Sequence, residues 1–282
     1  MLIIIQKLGD SMFLEICQKL LITMSVFIPL EFLLPRLQEK KILRENWALD
    51  LCYALIAGLI IASGIFVIII LGIIFINPIL SPKVTTFVAA QPLFIQIIAI
   101  MIVADIGYYL IHRMFHENPT LWKLHAIHHN IEEMDWLAAH RVHPIDQILT
   151  RGLSLIIPYT FGFSTAAITI YFLIYGWHSY LKHSNVNIRF GPLKWLLVSP
   201  TYHHWHHANE EHAFDKNYAG QLPILDILFG TAIMEEKKGP EHYGTDTPVP
   251  PSFLGQLALL FSLLKTRFKK SSLEKNGLGA SE

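Results

Sequence analysis

Fifteen histidines occur in this 282-residue chain, and all lie between His112 and His242. Their spacing is regular. His112 and His116 stand at i and i+4, which puts both imidazoles on one helical face. His125, His128 and His129 stand at i, i+3 and i+4, and His203, His206 and His207 repeat that pattern. His204, inside the last group, is turned roughly 100° away and is not expected to serve as a ligand. His178 and His183 fall between these boxes, at the end of an apolar stretch from which a histidine can reach the same chamber. A lone histidine is usually a surface or satisfied core residue, but two HxxHH triples and an HxxxH in one region are too many for that explanation. The chemistry they suit is metal ligation. Eight or more imidazoles exceed the four ligands of a zinc site, so two ions are expected. Imidazole suits zinc, copper, iron and nickel alike, which leaves the element open at this point. Carboxylates are expected to orient the imidazoles. Asp105, seven residues before His112 on the same helical face, is the first candidate, followed by Glu117, Asp135, Asp146, Asp215 and Asp226.

The elements that must position these residues are apolar. Hydrophobic residues make up 52% of the chain and mean hydropathy is +0.42, values of a membrane protein rather than a soluble domain. The 22 basic and 22 acidic residues cancel, so no basic field favours nucleic acid. Cys17 and Cys52 sit in apolar runs with no metal or redox spacing. The first apolar run has no small-residue cleavage site and is read as retained, and no lipidation motif is seen. Spans are expected over Met12 to Leu34, Leu49 to Leu80 and Phe87 to Ile111, the last leading straight into His112. The second is longer than a crossing requires, so tilt, a break near Gly64 or a re-entrant hairpin are open. Ile145 to Leu181, interrupted by Pro158, Gly162 and Ser164, reads as two helices joined by a turn, one or both membrane-embedded. Arg36, Lys40, Lys41 and Arg44 mark the first loop as cytoplasmic. Two crossings then bring His112 to the same side, and the later hairpin leaves and returns there. Phe253 to Phe268, with Lys265, Arg267, Lys269 and Lys270 at its end, resembles an interfacial helix, and residues after Ser271 are expected to be disordered. The fold class is therefore all-α: an integral-membrane helical bundle of about four spans or hairpin equivalents, under a cytoplasmic, histidine-rich helical cap. Its divisions are 1–97 for the N-terminal spans, 98–231 for the catalytic domain, and 232–282 for a polar segment, interfacial helix and tail.

The boxes, together with Met134-Asp135-Trp136, Arg141-Val142-His143-Pro144, His183-Ser184-Asn185 and Asp215-Lys216-Asn217-Tyr218-Ala219-Gly220, resemble the fatty acid hydroxylase and sterol desaturase superfamily from about Ile98 to Thr231. That resemblance implies a di-iron centre on the cytoplasmic side, O2 as oxidant, and electrons from an external reductase or small redox carrier. Carried over by position, the ligands are His112, His116, His125, His128, His129, His183, His203, His206 and His207, with His143 and His178 as further candidates. Asp105, Asp135 and Asp215 are the acids assigned to the active site, and His140 receives no role. The implied reaction is hydroxylation of a lipid of sterol, fatty-acyl or alkylglycerol type. Desaturation by the same centre and zinc-dependent hydrolysis are the alternatives. Metal storage or transport, which would require polar pathways through the spans, is the least favoured reading.

Overall fold

The computed structural model describes residues 2–37 and 43–275, and the side chains of 13–37 and 43–265. Lys40 and Lys41 of the basic loop lie outside the described residues, as do the side chains of Arg267, Lys269 and Lys270.

The regular structure of the described residues is helical, with no strand beyond isolated bridges such as that between Pro35 and Val186. Helix α1 covers Leu2–Leu33. Helix α2 is one helical rod over Trp47–Ile79. α3 covers Pro82–Ala89, α4 Leu93–Glu117 and α5 Pro119–His129. α6 (Pro144–Ser154), α7 (Ile156–Thr160) and α8 (Thr165–His183) follow. α9 (Pro200–His206), α10 (Ile224–Phe229) and α11 (Phe253–Lys275) complete the order.

Among the described residues, three helices are long and apolar enough to cross a membrane: Phe13–Leu33, Trp47–Ile79 and Leu93–Glu117. Their most apolar windows are only 11%, 11% and 28% buried within the protein. Side chains such as Phe66, Phe75 and Phe94 therefore face outward, a surface suited to hydrocarbon and not to water. At 33 residues α2 is about 50 Å long against a hydrocarbon core of about 30 Å, which favours tilt.

Two expectations need correction. α2 does not break near Gly64; its irregularity is a π-helical turn at Tyr53–Ala57. Gly64 serves close packing instead, because a Cβ there would stand 2.3 Å from Cδ1 of Ile148 on α6. The third span starts at Leu93, not Phe87, since Pro82–Ala89 forms a helix of its own. The stretch 145–181 consists of helical segments joined by a turn at Gly162, whose φ is +89°, with α6, α7 and α8 all packing on α4. A core of Ile100, Leu155, Ile168, Tyr171 and Tyr175 ties it to α4. Helix α11 runs on to Lys275, beyond the point where order was expected to end, and residues 276–282 lie outside the described residues.

The first loop is tied to the histidine-bearing side. Arg36 donates to His204 and Tyr243, and Arg44 pairs with Asp50 and Asp135.

Candidate dimetal centre

The two helices that carry the HxxHH boxes each start on a side-chain cap followed by proline at the first position, which fixes their entry angle. Asn118 accepts from Thr120 N and Leu121 N ahead of Pro119, and turns α5 back against α4. Ser199 accepts from Tyr202 N ahead of Pro200 and starts α9. The three histidine-bearing helix ends and the end of α8 then converge.

They bring nine histidines into two groups. His112, His116, His125, His129 and His206 form one; His128, His183, His203 and His207 form the other. Within each group one nitrogen per residue lies within 4.8 Å of all the others. Nε2 faces Nε2 at 3.0 Å between His112 and His125 and at 3.1 Å between His129 and His206. In the second group the Nε2 pairs are His183–His128 at 3.2 Å, His203–His183 at 2.9 Å and His207–His203 at 3.2 Å.

The far side of most rings is held by an acceptor. His112 Nδ1 donates to Tyr218 O at 2.7 Å, His128 Nδ1 to Arg141 O at 3.0 Å, His183 Nδ1 to Ser179 O at 2.7 Å and His206 Nδ1 to Lys216 O at 2.8 Å. His125 Nδ1 donates to the Asp146 carboxylate at 2.6 Å. A ring that donates from Nδ1 carries its lone pair on Nε2. Lone pairs facing each other at such distances repel unless a cation lies among them. Two nitrogens bound at about 2.0–2.1 Å to one ion are about 2.9–3.3 Å apart in octahedral or tetrahedral geometry. The donor set thus fits two metal ions.

Burial, the largest cause, together with neighbouring imidazoles, holds His128, His129 and His207 well below the usual imidazole range. His203 is held low by burial and then by Lys182, and burial pushes His206 down to about 3. These rings are neutral at physiological pH, the state a ligand needs.

The remaining candidates sit elsewhere. His143 caps α6, its Nδ1 accepting from Ile145 N, and belongs to neither group. His178, five residues before His183 and so roughly 140° around α8, donates from Nε2 to Val198 O. His204 is turned to Arg36 and Tyr243. Asp105 accepts from the backbone of Gln221 and Leu222 at 2.9 and 2.7 Å, and so braces the loop that presents the Tyr218 carbonyl. Asp226 braces the same loop through Tyr218 N and Ala219 N. Asp135 caps the 3-10 turn Trp136–His140 and pairs with Arg44 at 2.7 Å; Arg44 and Arg141 share Asp50. Asp215 is exposed, with Oδ1 3.6 Å from His116 Nδ1. Glu117 pairs with Arg113 at the surface. The carboxylate bonded to an imidazole of the groups is Asp146, which the sequence ranks below Asp105. Its signal was the His143-Pro144-Ile145-Asp146 helix start, which puts the acid on the first turn.

Residues 97–231 match the model of the fatty acid hydroxylase family. The histidine-bearing region belongs to that family. An ornithine lipid hydroxylase of Rhizobium tropici is 31% identical over 171 residues, which is 61% of this chain and 52% of the relative. Alkylglycerol monooxygenase of Homo sapiens is 36% identical over 151 residues, 51% of this chain and 32% of the relative. A very-long-chain aldehyde decarbonylase of Oryza sativa is 26% identical over 148 residues, 48% of this chain and 22% of the relative. The chain thus spans about half the length of the first relative and a third or less of the other two. No solved structure matches the chain.

In this fatty acid hydroxylase region the five-histidine group opens on a cavity of about 330 Å³. His116, His129 and His206 form its floor, with Trp122, Phe214 and Asp215 around it. All of the four-histidine group is buried.

Proposed function

We propose that the protein is a membrane-bound di-iron oxygenase that hydroxylates a lipid, using O2 and electrons from a separate donor. The observation that carries this reading is the facing of Nε2 against Nε2 in two groups, with His112, His125, His128, His183 and His206 each held on Nδ1 by a fixed acceptor. When bound and reduced, two irons supply the activation of O2 that attack on an unactivated C–H bond requires. The chain's own residues do the rest. The nine histidines hold the ions, and Asp146 with the carbonyls of Arg141, Ser179, Lys216 and Tyr218 fixes the rings. Asp105 acts one step removed, through the 221–222 backbone, and Asp135 through Arg44, so both are positioning acids. Asp215 stands at the cavity mouth beside His116. The outward hydrocarbon of α2 and α4 keeps the lipid in the bilayer, and burial of the four-histidine group excludes water from that half of the centre.

The names of the ornithine lipid and alkylglycerol relatives support a lipid substrate and an oxygenase reaction. Arg36 and Arg44, on the histidine-bearing side, support a cytoplasmic centre by charge bias. The same reading divides the chain into 1–97, 98–231 and 232–282.

Metal analysis with Mössbauer spectroscopy on anaerobically purified, iron-57-enriched protein in detergent tests the proposal. About two irons per chain, with a signal that changes on adding reductant and O2, is expected. Two zincs that persist from iron-replete cells, without O2 consumption, would overturn it in favour of hydrolysis.

A further inference from the structure

The acids that support the five-histidine group come from within the family-matched residues 97–231. Asp146 meets His125, and Asp105 and Asp226 brace the loop whose carbonyl meets His112. The four-histidine group is supported differently. His128 and His183 are held by the carbonyls of Arg141 and Ser179, and the chain around each ring is tied to acids that lie before residue 97.

The first of these acids is Asp50, fully buried in the first turn of α2. Its carboxylate is shared by the Arg141 and Arg44 guanidinium groups, and Arg44 pairs in turn with Asp135 at 2.7 Å. Arg141 also donates to Asn46 O, just ahead of α2, at 3.4 Å. Two arginines and two aspartates cancel here. A buried ionic network is weak evidence for stability in itself, whereas loss of one member leaves a charge uncompensated. What this network fixes is the segment 135–141. Asp135 caps its 3-10 turn, and Arg141 ends it with the carbonyl that stands 3.0 Å from His128 Nδ1.

The second acid is Glu31, near the end of α1. One oxygen, Oε1, accepts from Trp136 N at 2.8 Å and from Asn185 N at 2.9 Å. Trp136 opens the turn that ends at Arg141, and Asn185 stands two residues after His183. The same junction is tied by Leu37, whose N–H and C=O both bond the Asn185 side chain, and by Asn187 N donating to Leu34 O. One carboxylate oxygen thus joins the approach to the His128 acceptor with the exit from His183, and those two rings face each other Nε2 to Nε2 at 3.2 Å.

We propose that Asp50 and Glu31, on the two N-terminal spans, are positioning residues for the four-histidine group. Asp50 fixes Arg141 and thereby the carbonyl that holds His128; Glu31 sets the spacing between the His128 and His183 segments. The spans are then part of the metal centre as well as its anchor. This rests on the reading of the two groups as metal sites, and is independent of iron and of O2.

The test is metal release to a colour-forming chelator from the folded, monodisperse fraction of the full-length protein in detergent. The unaltered protein should lose two ions in two phases, the slow one from the closed group. Asp50→Asn should speed the slow phase about 10- to 100-fold, the range for partners outside the ligands, and leave the fast phase unchanged. Arg141→Gln should do the same, and combining the two changes should add little, because both act through one carbonyl. Glu31→Leu should also speed the slow phase, whereas Glu31→Gln, which keeps an acceptor oxygen, should restore it. A slow phase untouched by Asp50→Asn or by Glu31→Leu would overturn the proposal. So would full additivity of the Asp50 and Arg141 changes, a single release phase in the unaltered protein, or both phases sped alike, which marks general loosening of the fold. Should Asp50→Asn not fold, the two Glu31 variants decide by the same criteria. Two zincs whose slow release depends on these acids would remove the oxygenase and leave the positioning roles standing; two irons whose slow release ignores them would do the reverse.

Discussion

The two histidine groups use the same ligand type but differ in access. The five-histidine group has three of its rings on the floor of an open cavity, and its His125 is held by a carboxylate. The four-histidine group is wholly buried, with His128 and His183 held by backbone carbonyls. A closed group and an accessible one placed side by side suit a division of labour. One keeps its ion, and the other meets incoming molecules.

The sharpest way to break that comparison is to remove a ligand from the closed group. His207 joins both groups, its Nε2 3.2 Å from His203 Nε2 and its ring stacked on His129 at 4.5 Å. His207→Ala should lower bound metal to about one ion per chain or less and cut activity by more than about a hundredfold, beyond the range of losses at partners outside the ligands. Elemental analysis beside His116→Ala decides the matter. Greater metal loss from the His116 change would remove the closed-versus-open distinction.

A smaller effect is expected at Asp146. Asp146→Asn keeps the shape but removes the charge facing His125, and should weaken metal retention or activity about 10- to 100-fold. Chelator competition measures the first. A loss confined to one ion per chain would assign that ion to the open group. The smallest change is expected at Asp215, which is exposed and only loosely approaches His116. Asp215→Asn should alter kcat/KM by no more than a few fold, in keeping with the roughly 0–1 kcal/mol of an exposed pair. A drop as large as that at Asp146 would show that the cavity mouth takes part in the chemistry.

The helical class and eight of the nine convergent histidines were legible because helical periodicity is local: HxxxH and HxxHH fix a shared face wherever the helix goes, whereas His183 came in through the family resemblance. The role of Asp146 was not legible, because it meets a histidine 21 positions earlier in the chain through the packing of α6 on α5. Asp105 looked suitable by periodicity, yet its carboxylate meets two backbone N–H groups of a distant loop, a partner that carries no side-chain signal. His143 entered through the family resemblance and His178 through that and its place near the end of an apolar helix, but their ring nitrogens are used in capping α6 and tying down Val198. Gly64 kept a break open beside tilt and a re-entrant hairpin, since glycine weakens a helix in isolation; the close approach of Ile148 is a tertiary fact that one sequence does not display.

The loop after α9 holds His112 and His206 through the main-chain oxygens of Tyr218 and Lys216, with Asp215 and Asn217 both at φ +57°. Peptide oxygens cannot be exchanged by point substitution, so that portion of the centre answers to loop length and backbone shape instead of residue identity. A one-residue insertion or deletion between Asp215 and Gly220 would thus disarm the site with every histidine intact, and variation in a lineage that keeps the activity should run to substitutions there and not to gaps.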